Sequence, residues 1–143
     1  MRTPILVSLL TLSVFGVVGC DSSMEPSAKP TVDATLGQPF TLEPGQTAVL
    51  AEASLTLTFQ GVIEDGRCPI DAVCIAAGQA ATAVHATQDR SAAVTLTLIL
   101  PAVPEGVPYA GVRVHAESLL PAPVSDHLIR PEDYRLQLLV DRP

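Results

Sequence analysis

The sequence predicts an all-β fold, a two-layer antiparallel β-sandwich of about seven short strands. Apolar and polar residues alternate in short segments separated by Pro, Gly, Asp or Glu, and none of these segments shows a sustained apolar repeat of 3.6 residues. In 54–60, Leu55, Leu57 and Phe59 lie on one side and polar residues on the other. The segment 92–100 repeats this pattern, which is typical of a half-buried strand.

Seven segments alternate in this way, namely 39–43, 46–51, 54–60, 79–87, 92–100, 111–116 and 134–140. Gln88-Asp89-Arg90 is typical of a hairpin connection and Glu43-Pro44-Gly45 of a tight turn, so neighbouring strands should be mostly antiparallel. Seven short strands in this length suit a sandwich better than a closed barrel. The proline-rich segments 101–109 and 119–133 are predicted to be loops, with room for one helical turn.

The chain of 143 residues suits one domain, preceded by a targeting segment. Arg2 gives a positive start, and a largely apolar run follows from Ile5 to Val18. Because a membrane-spanning helix needs about 20 apolar residues, this shorter run predicts a signal peptide over 1–19.

The end of this segment, Val17-Val18-Gly19-Cys20, resembles the lipobox of bacterial lipoproteins, although that family prefers Leu where Val17 stands. The resemblance implies cleavage before Cys20 and a lipid on its sulfur that holds the chain to a membrane. Two or more acyl chains anchor a protein stably, whereas one does not. The expected location is therefore the bacterial cell envelope, with the domain outside the cytoplasm.

Residues 20–38 are predicted to be the lipidated cysteine and a flexible linker, because Pro26, Pro30 and small polar residues dominate there. The predicted sandwich domain is 39–143. Removing the signal peptide takes away one basic residue, Arg2, of the eight and none of the 15 acidic ones, which leaves a net charge of −8. An acidic chain with few aromatic residues is not expected to bind nucleic acid.

With Cys20 assigned to lipid, Cys68 and Cys74 remain as a pair in an oxidising compartment and predict a disulfide bond. The alternative is a redox or metal-binding thiol pair. The spacing is not that of a C-x-x-C motif, and the enclosed loop contains no histidine, so the disulfide is favoured.

Around this loop the chain resembles an uncharacterised family of small secreted or lipid-anchored bacterial proteins. Its signature is Asp-x-Arg-Cys-Pro, a second cysteine after five residues, then Gly-x-Ala, preceded by Phe-x-Leu and Gly-Gln. The matching residues are Phe40, Leu42, Gly45, Gln46, Asp65, Arg67, Cys68, Pro69, Cys74, Gly78 and Ala80. This chain departs from the family with Ala76 in place of Trp and Gly66 in place of Ser. The resemblance implies a β domain with a disulfide and supplies no activity.

Asp65 and Arg67 are candidates either for fixing the loop or for binding a small ligand, and the first role is the more common one for such residues in a turn. His85, His115 and His127 match no metal motif, and the first two are expected on solvated strand faces. No catalytic residue, metal ligand or cofactor is predicted.

The sequence therefore favours a non-catalytic envelope lipoprotein whose sandwich binds an envelope partner or serves structurally. Two alternatives stay open. One is a small envelope hydrolase or metalloenzyme in which the histidines and carboxylates converge. The other is a protease inhibitor that presents Ile70 and its neighbours on the disulfide-closed loop.

Overall fold

The computed structural model describes residues 29–101 and 104–143, and it confirms the all-β sandwich. The predicted signal peptide, Cys20 and the first part of the linker lie outside the described residues. Within these residues no helix is long and apolar enough to cross a membrane.

Nine strands are present in the described residues: β1 (Val32–Asp33), β2 (Phe40–Leu42), β3 (Thr47–Leu50), β4 (Leu55–Asp65), β5 (Ala80–Gln88), β6 (Val94–Leu100), β7 (Val107–Tyr109), β8 (Val112–Leu120) and β9 (Arg135–Asp141). One sheet has the order β1-β3-β4-β5-β6 and the other β2-β9-β8-β7. Single 3-10 turns span Ala51–Ala53 and Pro131–Asp133. The second turn falls within the predicted loop 119–133.

The core lies between the two sheets and is built by the alternation seen in the sequence. Leu57 and Phe59 of β4 are fully buried, and they lie in one core cluster with Leu136 and Leu138 of β9. Removing such side chains from water is the main stabilising contribution, roughly 1.5 to 3 kcal/mol for each. Thr82 of β5 is buried among them, and its hydroxyl donates a hydrogen bond of 3.1 Å to the carbonyl oxygen of Leu98.

The structure corrects the predicted boundary between linker and domain. Val32–Asp33 lies within the predicted linker 20–38, yet it forms β1 and pairs in parallel with β3. The Gln46 side-chain amide also donates to the Pro30 carbonyl oxygen at 3.1 Å. The sandwich therefore begins before residue 39. A two-residue strand is too short to produce an alternating pattern, which explains why the sequence did not predict it.

Several strands also differ from their predicted lengths. Val107–Tyr109 forms β7 inside the predicted loop 101–109. Strand β4 continues to Asp65, past the predicted end at residue 60. Its pairing with β5 shifts register twice, between Phe59 and Gly61 and between Val62 and Glu64. Such bulges turn the side chains out of simple alternation while the strand goes on.

The sandwich has two distinct ends. At one end the register places Asp65 beside Ala80 and Leu120 beside Arg135. This end carries the cysteines and is called the disulfide end below. At the other end are the β5–β6 hairpin and the turn Ala51–Ala53, and it is called the hairpin end. The two ends present different surfaces, and the candidate site lies at the first.

Candidate functional site

The disulfide end is formed by the loop 66–79, which joins β4 to β5. Cys68 and Cys74 are bonded with an S–S distance of 2.06 Å and a Cα–Cα distance of 6.0 Å, so the predicted disulfide is confirmed. Below the bridge, the Gly66 amide donates to the Gln79 carbonyl and the Cys68 amide to the Ala77 carbonyl, both at 2.8 Å. The loop is therefore closed twice, by covalent and by backbone bonds.

Gly78 permits this close approach of the two sides of the loop. Its φ of +69° lies in the left-handed region, and an added Cβ would come within 1.9 Å of the Gly66 carbonyl oxygen. Any other residue would clash with the backbone here. Gly78 thus has a steric role.

Asp65 and Arg67 form a bidentate ion pair at the base of the loop. The Arg67 Nε donates to Asp65 Oδ1 at 2.8 Å and the Arg67 Nη2 to Asp65 Oδ2 at 2.7 Å. The side chains are only 16% and 11% exposed for Arg67 and Asp65. The hydrogen bonds from the Arg67 side chain, opposed by partial burial, hold the pKa of the Asp65 carboxyl below its ordinary value.

The pair also connects the loop to the second sheet. The Arg67 guanidinium donates to the carbonyl oxygens of Leu119 and Pro121, at the end of β8. The Tyr134 hydroxyl, just before β9, donates to Asp65 Oδ2 at 3.1 Å. Burial, together with the bond to Asp65, raises the pKa of Tyr134, so the phenol keeps the proton that it donates. Because both carboxylate oxygens are engaged inside the protein, the geometry favours the loop-fixing role over ligand binding.

The outer part of the loop rests on the segment that follows β8. The Ile70 amide donates to the Pro123 carbonyl at 3.0 Å, and the Ser125 amide donates to Asp71 Oδ1 at 2.8 Å. The bond from the Ser125 amide lowers the pKa of Asp71. The Asp71 carboxylate therefore ties the loop to the neighbouring segment while it stays exposed to solvent.

The large side chains that the loop presents to solvent are mostly aliphatic, although Asp71 and Gln79 are exposed as well. Ile70 is 74% exposed, and Val73 and Ile75 are fully exposed. These three side chains are called the apolar loop below. Eight large apolar side chains are exposed in the described part of the chain, and of these Val94 alone lies at the hairpin end. The others are Ile63, Ile70, Val73, Ile75, Leu120, Val124 and Leu128. Such concentration of exposed apolar surface is typical of an interaction site.

A shallow cleft of about 250 Å³ lies beside the ion pair and is lined by Val62 to Asp65, Ile129, Pro131 and Tyr134. A small ligand could lie in this cleft. Its two polar groups of interest, the Asp65 carboxylate and the Tyr134 hydroxyl, are bonded to each other. The Glu64 carboxylate also lines the cleft, so a ligand there would meet both polar and apolar groups.

The three histidines lie on separate elements, His85 on β5, His115 on β8 and His127 in the following loop. Among the described residues, no group of three His, Cys, Asp or Glu side chains is placed to hold a metal ion. The expectation of a solvated His115 was wrong, because its side chain is only 12% exposed and its Nε2 lies 3.3 Å from Asp141 Oδ1. The Ser118 hydroxyl donates a hydrogen bond of 3.1 Å to Gln137 Oε1.

Replacing both Cys68 and Cys74 by serine should lower the free energy of unfolding by roughly 2 kcal/mol, because the bridge restricts the unfolded chain over a short ring. Thermal unfolding should show a midpoint several degrees lower. Under reducing conditions the wild type and the variant should unfold at the same temperature, which serves as the control. An unchanged midpoint in the oxidised samples would contradict a stabilising bridge.

The fold and the site define a small disulfide-closed β-sandwich domain with an apolar loop at one end. Comparison with family models, with curated proteins and with solved structures gives no match.

Proposed function

We propose that the chain is a bacterial cell-envelope lipoprotein, anchored by lipid on Cys20, whose sandwich is a non-catalytic binding domain. The lipobox-like Val17-Val18-Gly19-Cys20 supports the anchor. The disulfide supports an oxidising compartment, because such bonds are rare in the cytosol. The proposed binding surface is the apolar loop.

The observation that carries the binding proposal is the combination of exposure and rigidity. Exposed aliphatic side chains cost solubility and are normally scattered, whereas Ile70, Val73 and Ile75 share one loop. That loop is held by the disulfide and by the Asp65–Arg67 pair. Rigid presentation lowers the entropy lost on binding, which favours recognition over a merely structural role.

Photo-crosslinking in cells tests this function. A benzophenone amino acid in place of Val73 should form adducts with a membrane component or an envelope protein, because this side chain is fully exposed on the proposed surface. The matched control carries the same group in place of Glu52, which is exposed at the hairpin end. Adducts that form equally from both positions, or from neither, would contradict binding through the apolar loop.

A second candidate function is protease inhibition, favoured by the same rigid and protruding loop. Here Ile70 and its neighbours would occupy a protease cleft, held by the disulfide. A broad panel of proteases distinguishes protease inhibition from the binding proposal. An inhibitor should block at least one enzyme of the panel and lose that effect when the disulfide is reduced. An uninhibited panel would remove it and leave the binding proposal in place.

A further inference from the structure

The geometry points to the lipid bilayer that holds the anchor as the partner of the apolar loop. In this arrangement Ile70, Val73 and Ile75 dip into the membrane surface and give the domain a second, reversible contact beside the lipid on Cys20. The inference rests on the proposed anchor and names what the proposed binding surface touches.

The chain from the anchor reaches the sandwich at the same end as the apolar loop. Lys29 Nζ lies 2.9 Å from Glu43 Oε2, and Arg135 Nη2 lies 3.0 Å from the other oxygen of the same carboxylate. Arg135 is paired with Leu120 and follows Tyr134, whose hydroxyl bonds to Asp65. The chain between Cys20 and Lys29, called the tether below, therefore joins the domain at the disulfide end.

The length of that tether limits which end of the sandwich can face the membrane. Lys29 is nine residues after Cys20, and a fully extended chain of nine residue steps reaches about 30 Å. Strand β5 has nine residues, so the sandwich is also about 30 Å long in the strand direction. Turning the hairpin end to the membrane would use the whole reach of the tether. If the disulfide end faces the membrane, the tether does not have to span the length of the sandwich.

The chemistry of the apolar loop also suits a lipid surface. Between Pro69 and Ala77 the loop contains no basic residue, and its single acidic residue, Asp71, is bonded to the Ser125 amide. Such a surface has no group to attract an anionic phosphate and few charges to remove from water. It suits the boundary between headgroups and acyl chains of a zwitterionic lipid, where side chains like Ile and Val bury apolar area.

The location of exposed apolar surface agrees with this orientation. Apart from Val94, the exposed large apolar side chains of the described residues lie at the end where the tether joins. Leu128, in the segment that follows β8, is 92% exposed.

Tryptophan fluorescence tests the inference, because the chain contains no tryptophan. The full lipidated protein carrying Ile75→Trp is reconstituted in phosphatidylcholine vesicles with and without bromine on the acyl chains. We expect blue-shifted emission that loses roughly half its intensity to bromines near the depth that interfacial side chains reach, about 5 to 10 Å. Adding anionic lipid should leave the quenching unchanged.

The control is Glu52→Trp, at the exposed hairpin end of the same reconstituted protein. It should show solvent-exposed emission without quenching. A further variant, Ile75→Trp with Ile70→Asp and Val73→Asp, should lose most of the quenching because the rest of the apolar loop is gone. All three carry substitutions at exposed positions, so folding is expected to be retained.

The outcomes distinguish failure of the membrane contact from failure of the proposed function. Equal quenching at the two tryptophans, or none in vesicle-bound protein, would overturn membrane contact by the loop while leaving the anchor standing. If Val73 still forms adducts with an envelope protein in cells, binding through the loop stands and its partner is that protein. A protein that lacks lipid and does not enter vesicles would overturn both the anchor and the inference.

Discussion

Replacing Cys20 by serine should move the protein from the membrane fraction to the soluble fraction, with its fold intact. The thiol of Cys20 is the proposed attachment point of the acyl chains, and without them the domain keeps only the weak contact of its exposed side chains. Cell fractionation measures the distribution. Intact mass spectrometry of the wild type should show a mature chain that begins at Cys20 and carries added acyl groups.

The double variant Cys68→Ser and Cys74→Ser is the matched control for loss of a cysteine. It should stay in the membrane fraction, because these residues form the disulfide of the domain and not the anchor. An unlipidated mass for the wild type, or membrane association that persists without Cys20, would contradict the proposed anchor. In the same spectra the wild-type mass should rise by two hydrogens on reduction.

Replacing Arg67 by methionine should lower the free energy of unfolding by about 2 to 3 kcal/mol. Breaking a buried ion pair from one side usually costs about 3 to 5 kcal/mol, and the partial exposure of Arg67 and Asp65 reduces this. The variant leaves the Asp65 carboxylate without its main partner, and the carbonyls of Leu119 and Pro121 without a donor. Denaturant unfolding measures the change.

Arg130→Met is the matched control, because Arg130 also pairs with carboxylates but is 69% exposed. Exposed pairs contribute little to stability, so this variant should unfold close to the wild type. If Arg67→Met and Arg130→Met unfolded alike, the Asp65–Arg67 pair would not hold the disulfide end together.

The same pair makes stability depend on pH in a defined direction. The pKa of Asp65 in the folded protein lies below its ordinary value of 3.8. The contribution of the carboxylate is therefore complete above this value and is lost as the pH falls through the lower, folded pKa. Between about pH 6 and about pH 2.5 the wild type should lose more stability than Arg67→Met, which no longer has the ion pair.

Much of the fold could be predicted because alternation is a local property. Leu96, Leu98 and Leu100 are two residues apart and all point into the core, as their spacing predicted. The exceptions occur where an element is too short or irregular to show a period. Val32–Asp33 was assigned to the linker, and the part of β4 after Gly61 was missed because a bulge interrupts the alternation.

The candidate site was only partly visible in the sequence. The spacing of Cys68 and Cys74 and the charges of Asp65 and Arg67 marked the loop as unusual. Nothing local indicated that Arg67 reaches the Leu119 carbonyl, 52 residues away, or that Tyr134, 69 residues away, bonds to Asp65. These contacts exist because two sheets place the ends of β4, β8 and β9 side by side.

The sequence by itself determined the fold class, the disulfide pairing and the expected anchor, because each follows from residues close together in the chain. Tertiary structure decided which surface is free. Ile70, Val73 and Ile75 would suit a core as well as Leu57 does, and they are exposed because the bridged loop projects beyond the sheets. The tether and this loop share one end because β1 pairs with β3 and Lys29 meets Glu43 there, and contacts across the fold have no trace in local sequence.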